Sequence, residues 1–239
     1  MPFLNGLYFF YEDGEVSEHG PAGRIVRIGN HPRAAEGLVR RLRGHYRSGT
    51  GAKNGSVFRR YLGGAILRSR DPISPCLSPG PGAGHWERQD ADACHDCRSL
   101  EEAVSQLLRS RFRFRCVRID DPDERNRLES RLIASVAACP VCQPSAQWLG
   151  RHAYPDVVQR SGLWNSQGVG GATPDADDFA SFRRLVAASV PSGASVTSLN
   201  DTMLIIPCSS AKAGAQDPAL PVVRIGDLLG PDAAATLEE

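Results

Sequence analysis

Nowhere in its 239 residues does this chain hold the run of about 18 apolar residues that a membrane-spanning helix needs. No basic stretch followed by an apolar one opens it either, so the expectation is a chain without a secretory leader, working in the cytoplasm. Internal repeats are lacking, which argues against a solenoid or propeller. A balance of net charge is almost complete, at +1. What remains is a chain with 41% hydrophobic residues, enough for a sizeable core, and long enough for one large domain or one domain with an appendage.

The small net charge hides an asymmetry. Residues 1–70 carry twelve Lys or Arg against five Asp or Glu, whereas residues 120–239 carry nine against fifteen. The densest basic stretch, residues 33–70, has ten basic residues and one acidic residue, Glu36. A polyanion is the partner this suits, because basic side chains that neutralise phosphates release counterions. Arg40, Arg43, Arg47, Lys53, Arg59 and Arg60 are the candidates for nucleic-acid contact, with a solvated basic surface as the plain alternative.

Periodicity along the chain predicts an α+β fold. Phe3 to Tyr11 and Arg24 to Ile28 read as neighbouring strands, joined by a Gly- and Glu-rich turn. A helix follows from Pro32 to about Tyr46, with Leu38, Val39 and Leu42 on its apolar side. Residues 48–56 read as a loop, residues 57–67 as helical, and residues 71–98 as an irregular Cys-containing insertion. Leu100 to Leu108 is an amphipathic helix and residues 112–119 a third strand. The acidic DDPDE at 120–124 starts a helix that runs to Ala138, with Leu128, Leu132, Ile133 and Val136 inward. Residues 176–189 form a last amphipathic helix. The economical solution is a small antiparallel sheet of about three strands flanked by helices over residues 1–190, with residues 191–239 as a C-terminal extension.

Reactive side chains fall on this scaffold in a particular order. Tyr8 lies in the first strand, inside Gly6-Leu7-Tyr8, and Arg27-Ile28-Gly29 closes the second, with His31 two residues on. Arg41 and His45, four apart, share one face of the first helix. Glu129, followed by Leu132-Ile133, sits on the helix after the third strand, and Asn165 ends a Gly-Leu-Trp-Asn loop. Taken singly, each has an ordinary explanation: a strand aromatic, a solvated basic face, a helix-end histidine, a surface glutamate, a loop asparagine.

Together and in this order they resemble the GIY-YIG nuclease superfamily, in particular its restriction-endonuclease-like branch, from about residue 5 to 190. The resemblance implies a metal-dependent DNA endonuclease, in a restriction or defence setting. Tyr8, Arg27, His31, Arg41, His45, Glu129 and Asn165 would then be the catalytic set. Glu129 would hold one Mg²⁺ or Mn²⁺ with waters and phosphate oxygens. Tyr8 would position or deprotonate water with help from His45 or His31, Arg41 would grip the phosphate, and Asn165 would hold Tyr8 or the metal shell. The substrate would be double-stranded DNA, and double-strand cutting with one site per chain would favour a homodimer. One departure stands out: Arg27 replaces the Tyr that usually opens the second motif. It motivates a second reading, a nucleic-acid-binding protein with this fold that cannot cut.

Seven cysteines in a cytoplasmic chain argue against a disulfide framework and raise the question of metal. Cys94–Cys97 and Cys139–Cys142 are two C-x₂-C pairs, the spacing that lets thiolates share a tetrahedral zinc ion, with Cys76 or His95 as substitutes. Small buried or unpaired thiols are the alternative, and Cys116 and Cys208 read as core or surface thiols. A structural Zn²⁺ there supports a third reading, a zinc-stabilised interaction module. The Lys212 loop after the apolar MLIIP run at 203–207 lacks the glycine spacing of a phosphate-binding loop.

Overall fold

The computed structural model describes residues 5–19, 23–31, 37–47, 52–74, 76–77, 86, 95–189 and 222–223, with only the backbone given for 95–97 and 222–223. Strand β1 (Gly6–Glu12) pairs antiparallel with β2 (Ile25–Gly29) on one side and with β3 (Phe112–Arg118) on the other. Two residues of the C-terminal segment, β4 (Val222–Val223), lie antiparallel along β3, so the sheet order is β2-β1-β3-β4. The expected three-stranded antiparallel sheet is present, each strand within a few residues of its expected bounds.

Helices cover both faces. On one face α1 (Gly37–Tyr46), α2 (Val57–Arg70) and α3 (His95–Arg111) receive Tyr8 and Phe10, with Leu42, Phe58, Leu62, Val104 and Leu108 around them. On the other face α4 (Pro122–Ala137) and α6 (Ala176–Ser189) receive Leu7, Phe9 and Tyr11. Alternation along β1 thus feeds two cores, and all seven of its residues are buried. That explains why the strand is apolar or aromatic from Leu7 to Tyr11: an antiparallel strand with one wet face would alternate with polar residues.

Helix ends follow local chemistry. Asp121 caps α4 by accepting the Glu124 N–H at 2.7 Å, with Pro122 in the first turn. Asp175 and Asp178 exchange bonds at the start of α6, each carboxylate accepting the other's backbone N–H, at 2.9 and 3.2 Å. Asp178 is buried and also meets Arg127 and Arg131 of α4, which clamps the two helices together. Ser56 caps α2 by accepting the Arg59 N–H at 3.2 Å.

Several expectations change. Residues 32–36 of the first helix lie outside the described residues, as does most of the 71–98 insertion. The third helix is longer than expected, starting at His95 inside that insertion. The segment between α4 and the Gly-Leu-Trp-Asn loop, given no regular element from the sequence, holds a 3₁₀ turn at Leu149–His152 and a short helix α5 (Asp156–Ser161). It is fastened by a buried ion pair: Arg24 donates to Glu15 at 2.6 Å, and Glu15 accepts from the Ser145 hydroxyl at 2.6 Å. No helix among the described residues is long and apolar enough to cross a membrane.

Candidate active site

Tyr8 points from β1 into the layer of α1, where its hydroxyl lies 2.9 Å from His45 Nε2. The other ring nitrogen of His45, Nδ1, lies 2.8 Å from the Ser56 hydroxyl. Since that hydroxyl also caps α2, one serine both starts a helix and orients the imidazole. When Nδ1–H donates to Ser56, Nε2 is left as the acceptor of the Tyr8 proton. His45 is fully buried, and burial, reinforced by the positive charges of Arg27, Arg41 and Arg59, holds its pKa well below the usual histidine range. It is therefore a neutral imidazole at physiological pH.

The motif glycines make room for this arrangement. A Cβ at Gly29, which faces Tyr8 across the sheet, would meet the Tyr8 hydroxyl at 2.2 Å, and one at Gly6 would meet the Val117 carbonyl at 2.1 Å. Both positions require the absence of a side chain.

Glu129 reaches the same corner from α4. Its Oε2 accepts the Asn30 side-chain amide at 3.0 Å. Burial raises its pKa, opposed by the Asn30 amide and backbone N–H and by the charges of Arg27 and Arg41. The same two guanidinium groups thus act electrostatically on both His45 and Glu129. Arg27 lies over the Phe58 ring at 5.1 Å and donates to the Trp164 carbonyl, yet its Nε, like that of Arg41, is buried without a hydrogen-bond acceptor among the described residues. Two buried, unmatched N–H groups beside a carboxylate suit an anionic oxygen ligand.

The remaining expected residues take supporting positions. The Asn165 side chain hydrogen-bonds to the backbone of Ile28 in both directions, accepting the N–H at 3.0 Å and donating to the carbonyl at 2.8 Å. It seals the free edge of β2 and so holds Arg27 and Gly29 in place. His31 accepts the Gly6 N–H at 3.3 Å and lies against Gly37, so it meets the start of β1. Among the residues expected at nucleic acid, Arg40, Arg43 and Arg47 are exposed and Arg60 partly so. Lys53 and Arg59 are a correction, because both are interior. Lys53 donates to the Trp86 carbonyl at 3.0 Å, and Arg59 is fully buried, paired with Glu101 at 3.0 Å and bonded to the His45 carbonyl and Ser105. A charge this deep is retained only when it is paired, as Arg59 is with Glu101.

Sequence reasoning missed Ser56, Asn30 and Phe58. Ser56 carries a helix-start signal, a serine before an apolar run. Nothing local says that its hydroxyl also meets His45. The cysteine expectation changes as well. Cys94 and the Cys97 side chain lie outside the described residues, and Cys76 and Cys116 are buried in the core. Cys139 and Cys142 stand beside His19.

Neither curated proteins nor solved structures provide a match to this chain. A GIY-YIG domain profile matches residues 3–191, which include every residue of the site just described. Members of that family are typically endonucleases, so the match bears on nuclease chemistry in general. The chain belongs to the GIY-YIG domain family.

Proposed function

We propose that this protein is a metal-dependent endonuclease that hydrolyses phosphodiester bonds in double-stranded DNA. The observation that carries the reading is the Tyr8–His45 hydrogen bond, 2.9 Å long, in the field of Arg27 and Arg41 that also bathes Glu129. A phenol gives up its proton reluctantly at neutral pH, so it needs an acceptor at hand. His45 is that acceptor: the attacking water passes a proton to the Tyr8 oxygen as the Tyr8 proton moves to Nε2. The three guanidiniums that add to burial in depressing His45 also make the site wait for its substrate. A phosphate diester seated on Arg27 and Arg41 neutralises them, and His45 becomes a better base once DNA is in place. Arg41, with its planar fork of donors, then opposes the charge that grows on the non-bridging oxygens.

The donor set fits one hard divalent cation. Glu129 offers a carboxylate steered by Asn30, the remaining positions suit water and phosphate oxygens, and Mg²⁺ keeps several waters in such sites. Bound there, Mg²⁺ or Mn²⁺ would supply charge neutralisation at the phosphate and a more acidic water. Exposed Arg40, Arg43 and Arg47 on α1 and its end, with Arg60 on α2, would take the flanking backbone.

A second reading, a DNA-binding protein that does not cut, is favoured by one feature. Arg27 stands where the family motif has a tyrosine, and its guanidinium is engaged by Phe58 and the Trp164 carbonyl. Plasmid nicking with Mg²⁺ or Mn²⁺, alongside a binding assay, separates the two. Glu129→Ala is expected to abolish cleavage and leave DNA binding intact or slightly stronger, since it removes a negative charge from a basic cleft. Arg41→Ala should weaken both, with a loss of about 2–4 kcal/mol in activation free energy. Binding without cleavage in the wild type would select the second reading. Near wild-type cleavage by Glu129→Ala would place the metal elsewhere.

A further inference from the structure

We propose that His19, Cys139 and Cys142 form a zinc site that staples the β1–β2 connection to the end of α4. The three donor atoms lie within 4.8 Å of one another, with His19 Nε2 at 3.2 Å from Cys139 Sγ. Around a tetrahedral zinc ion, with bonds of about 2.3 Å to sulfur and 2.0–2.1 Å to nitrogen, donor atoms stand about 3.5–3.8 Å apart. The cluster therefore needs only shifts of roughly an ångström to close on an ion.

The surroundings have the features of a thiolate knuckle. The Cys142 backbone N–H points at Cys139 Sγ at 3.3 Å, a bond that stabilises a thiolate, and the Ser17 hydroxyl lies 3.6 Å from Cys142 Sγ. Gln143 donates its side-chain amide to the Cys139 carbonyl at 3.2 Å and to the Pro140 carbonyl at 3.3 Å, which braces the turn. Ser17 also accepts the His19 backbone N–H at 3.1 Å, which orients the histidine loop. Two thiolates and an imidazole are a soft donor set, suited to zinc and unlike the carboxylate and amide at Glu129. Binding would release a proton from each thiol.

Nothing in the cleavage chemistry uses this cluster; its consequence is positional. Cys139 follows directly on α4, the helix that carries Glu129, while His19 belongs to the connection between the strands that carry Tyr8 and Arg27. A metal bridge would hold the two halves of the site in fixed relation across 120 residues of sequence. Three corners of the tetrahedron are filled by these residues, and the fourth falls to water or to another cysteine.

Metal analysis of full-length protein purified with a phosphine reductant tests this without reference to DNA cleavage. About one zinc per chain is expected, lost in His19→Ala, Cys139→Ser and Cys142→Ser and kept in His19→Cys, where a thiolate takes the vacated corner. Cobalt loaded into the wild type should show thiolate-to-metal charge-transfer absorption, so the site can be read even where a cysteine variant does not fold. Additional loss of zinc in Cys94→Ser or Cys97→Ser would identify the fourth ligand and support the site. Zinc lost in those two variants but retained in His19→Ala would assign the ion to a four-cysteine set and overturn the proposal. A zinc-free wild type that takes up no cobalt would overturn it equally.

Discussion

At the scale of single residues, the site depends on atoms that are absent as much as on those present. Gly29 leaves the space that the Tyr8 ring fills, and a Cβ there would stand 2.2 Å from the phenol oxygen. Gly29→Ala is therefore expected to push Tyr8 off His45. Overpacking of this kind costs about 1–3 kcal/mol of stability, and on the proposed mechanism the lost proton transfer would add a rate loss of about 10²–10⁴-fold. Chemical denaturation and plasmid nicking measure the two effects separately, and an alanine variant with unchanged nicking would show that the phenol's position is not critical. Arg27 and Arg41 illustrate the opposite case, with each Nε buried and unmatched among the described residues. Such groups are costly in a resting protein, and a bound phosphate removes the cost.

At the scale of elements, the N-terminus of α2 joins folding to chemistry. The Ser56 hydroxyl caps the helix through Arg59 N–H and meets His45 Nδ1 at 2.8 Å. Ser56→Ala removes both. Loss of the cap costs about 1 kcal/mol, and leaving Nδ1 buried without a partner costs about 1–3 kcal/mol more. The variant should be less stable and show a lower kcat with KM little changed, while Ser56→Thr, which keeps the hydroxyl, should recover both. A stability loss with kcat unchanged would mean that Ser56 is only a cap. β2 offers a parallel case, because its outer edge is closed by the Asn165 amide and the Trp164 N–H rather than by another strand.

At the scale of the whole molecule, a buried acid links three segments. Glu12, at the end of β1, is 3.9 Å from Arg111 of α3 and lies near the indole N–H groups of Trp148 and Trp164, though its Oε2 lacks a full hydrogen bond. Burial, only partly offset by Arg111 and the indoles, pushes its pKa up to about 7 from 4.5. The folded chain thus holds this proton more tightly than the unfolded one. Its contribution to stability is complete below about pH 4.5 and is lost as pH rises through about 7, at most about 3 kcal/mol. Glu12→Gln should flatten the decline in Tm between pH 5 and 8. An unchanged slope in that variant would assign the decline to another group. Charge is also divided across the molecule, with the basic excess in the N-terminal part that carries Tyr8, Arg41 and His45.

What the sequence determined by itself was local. Alternation in residues 6–12 and 112–118, the Asp121-Pro122 start of α4 and the apolar spacing of α6 depend on neighbours a few residues away, and those neighbours are written in order along the chain. The order of Tyr8, Arg41, His45, Glu129 and Asn165 was legible for the same reason, as was the family that the profile over residues 3–191 bears out. Only the tertiary structure decided which partners those side chains meet. It turned Asn165 to the backbone of β2, sank Lys53 and Arg59 into the interior, brought Ser56 to His45 and set His19 beside Cys139. Each of these is a pairing across 11 to 137 residues or a charge hidden by a partner from another element. Such contacts follow from how two covered faces of one small sheet close, and no periodicity along the chain carries that information.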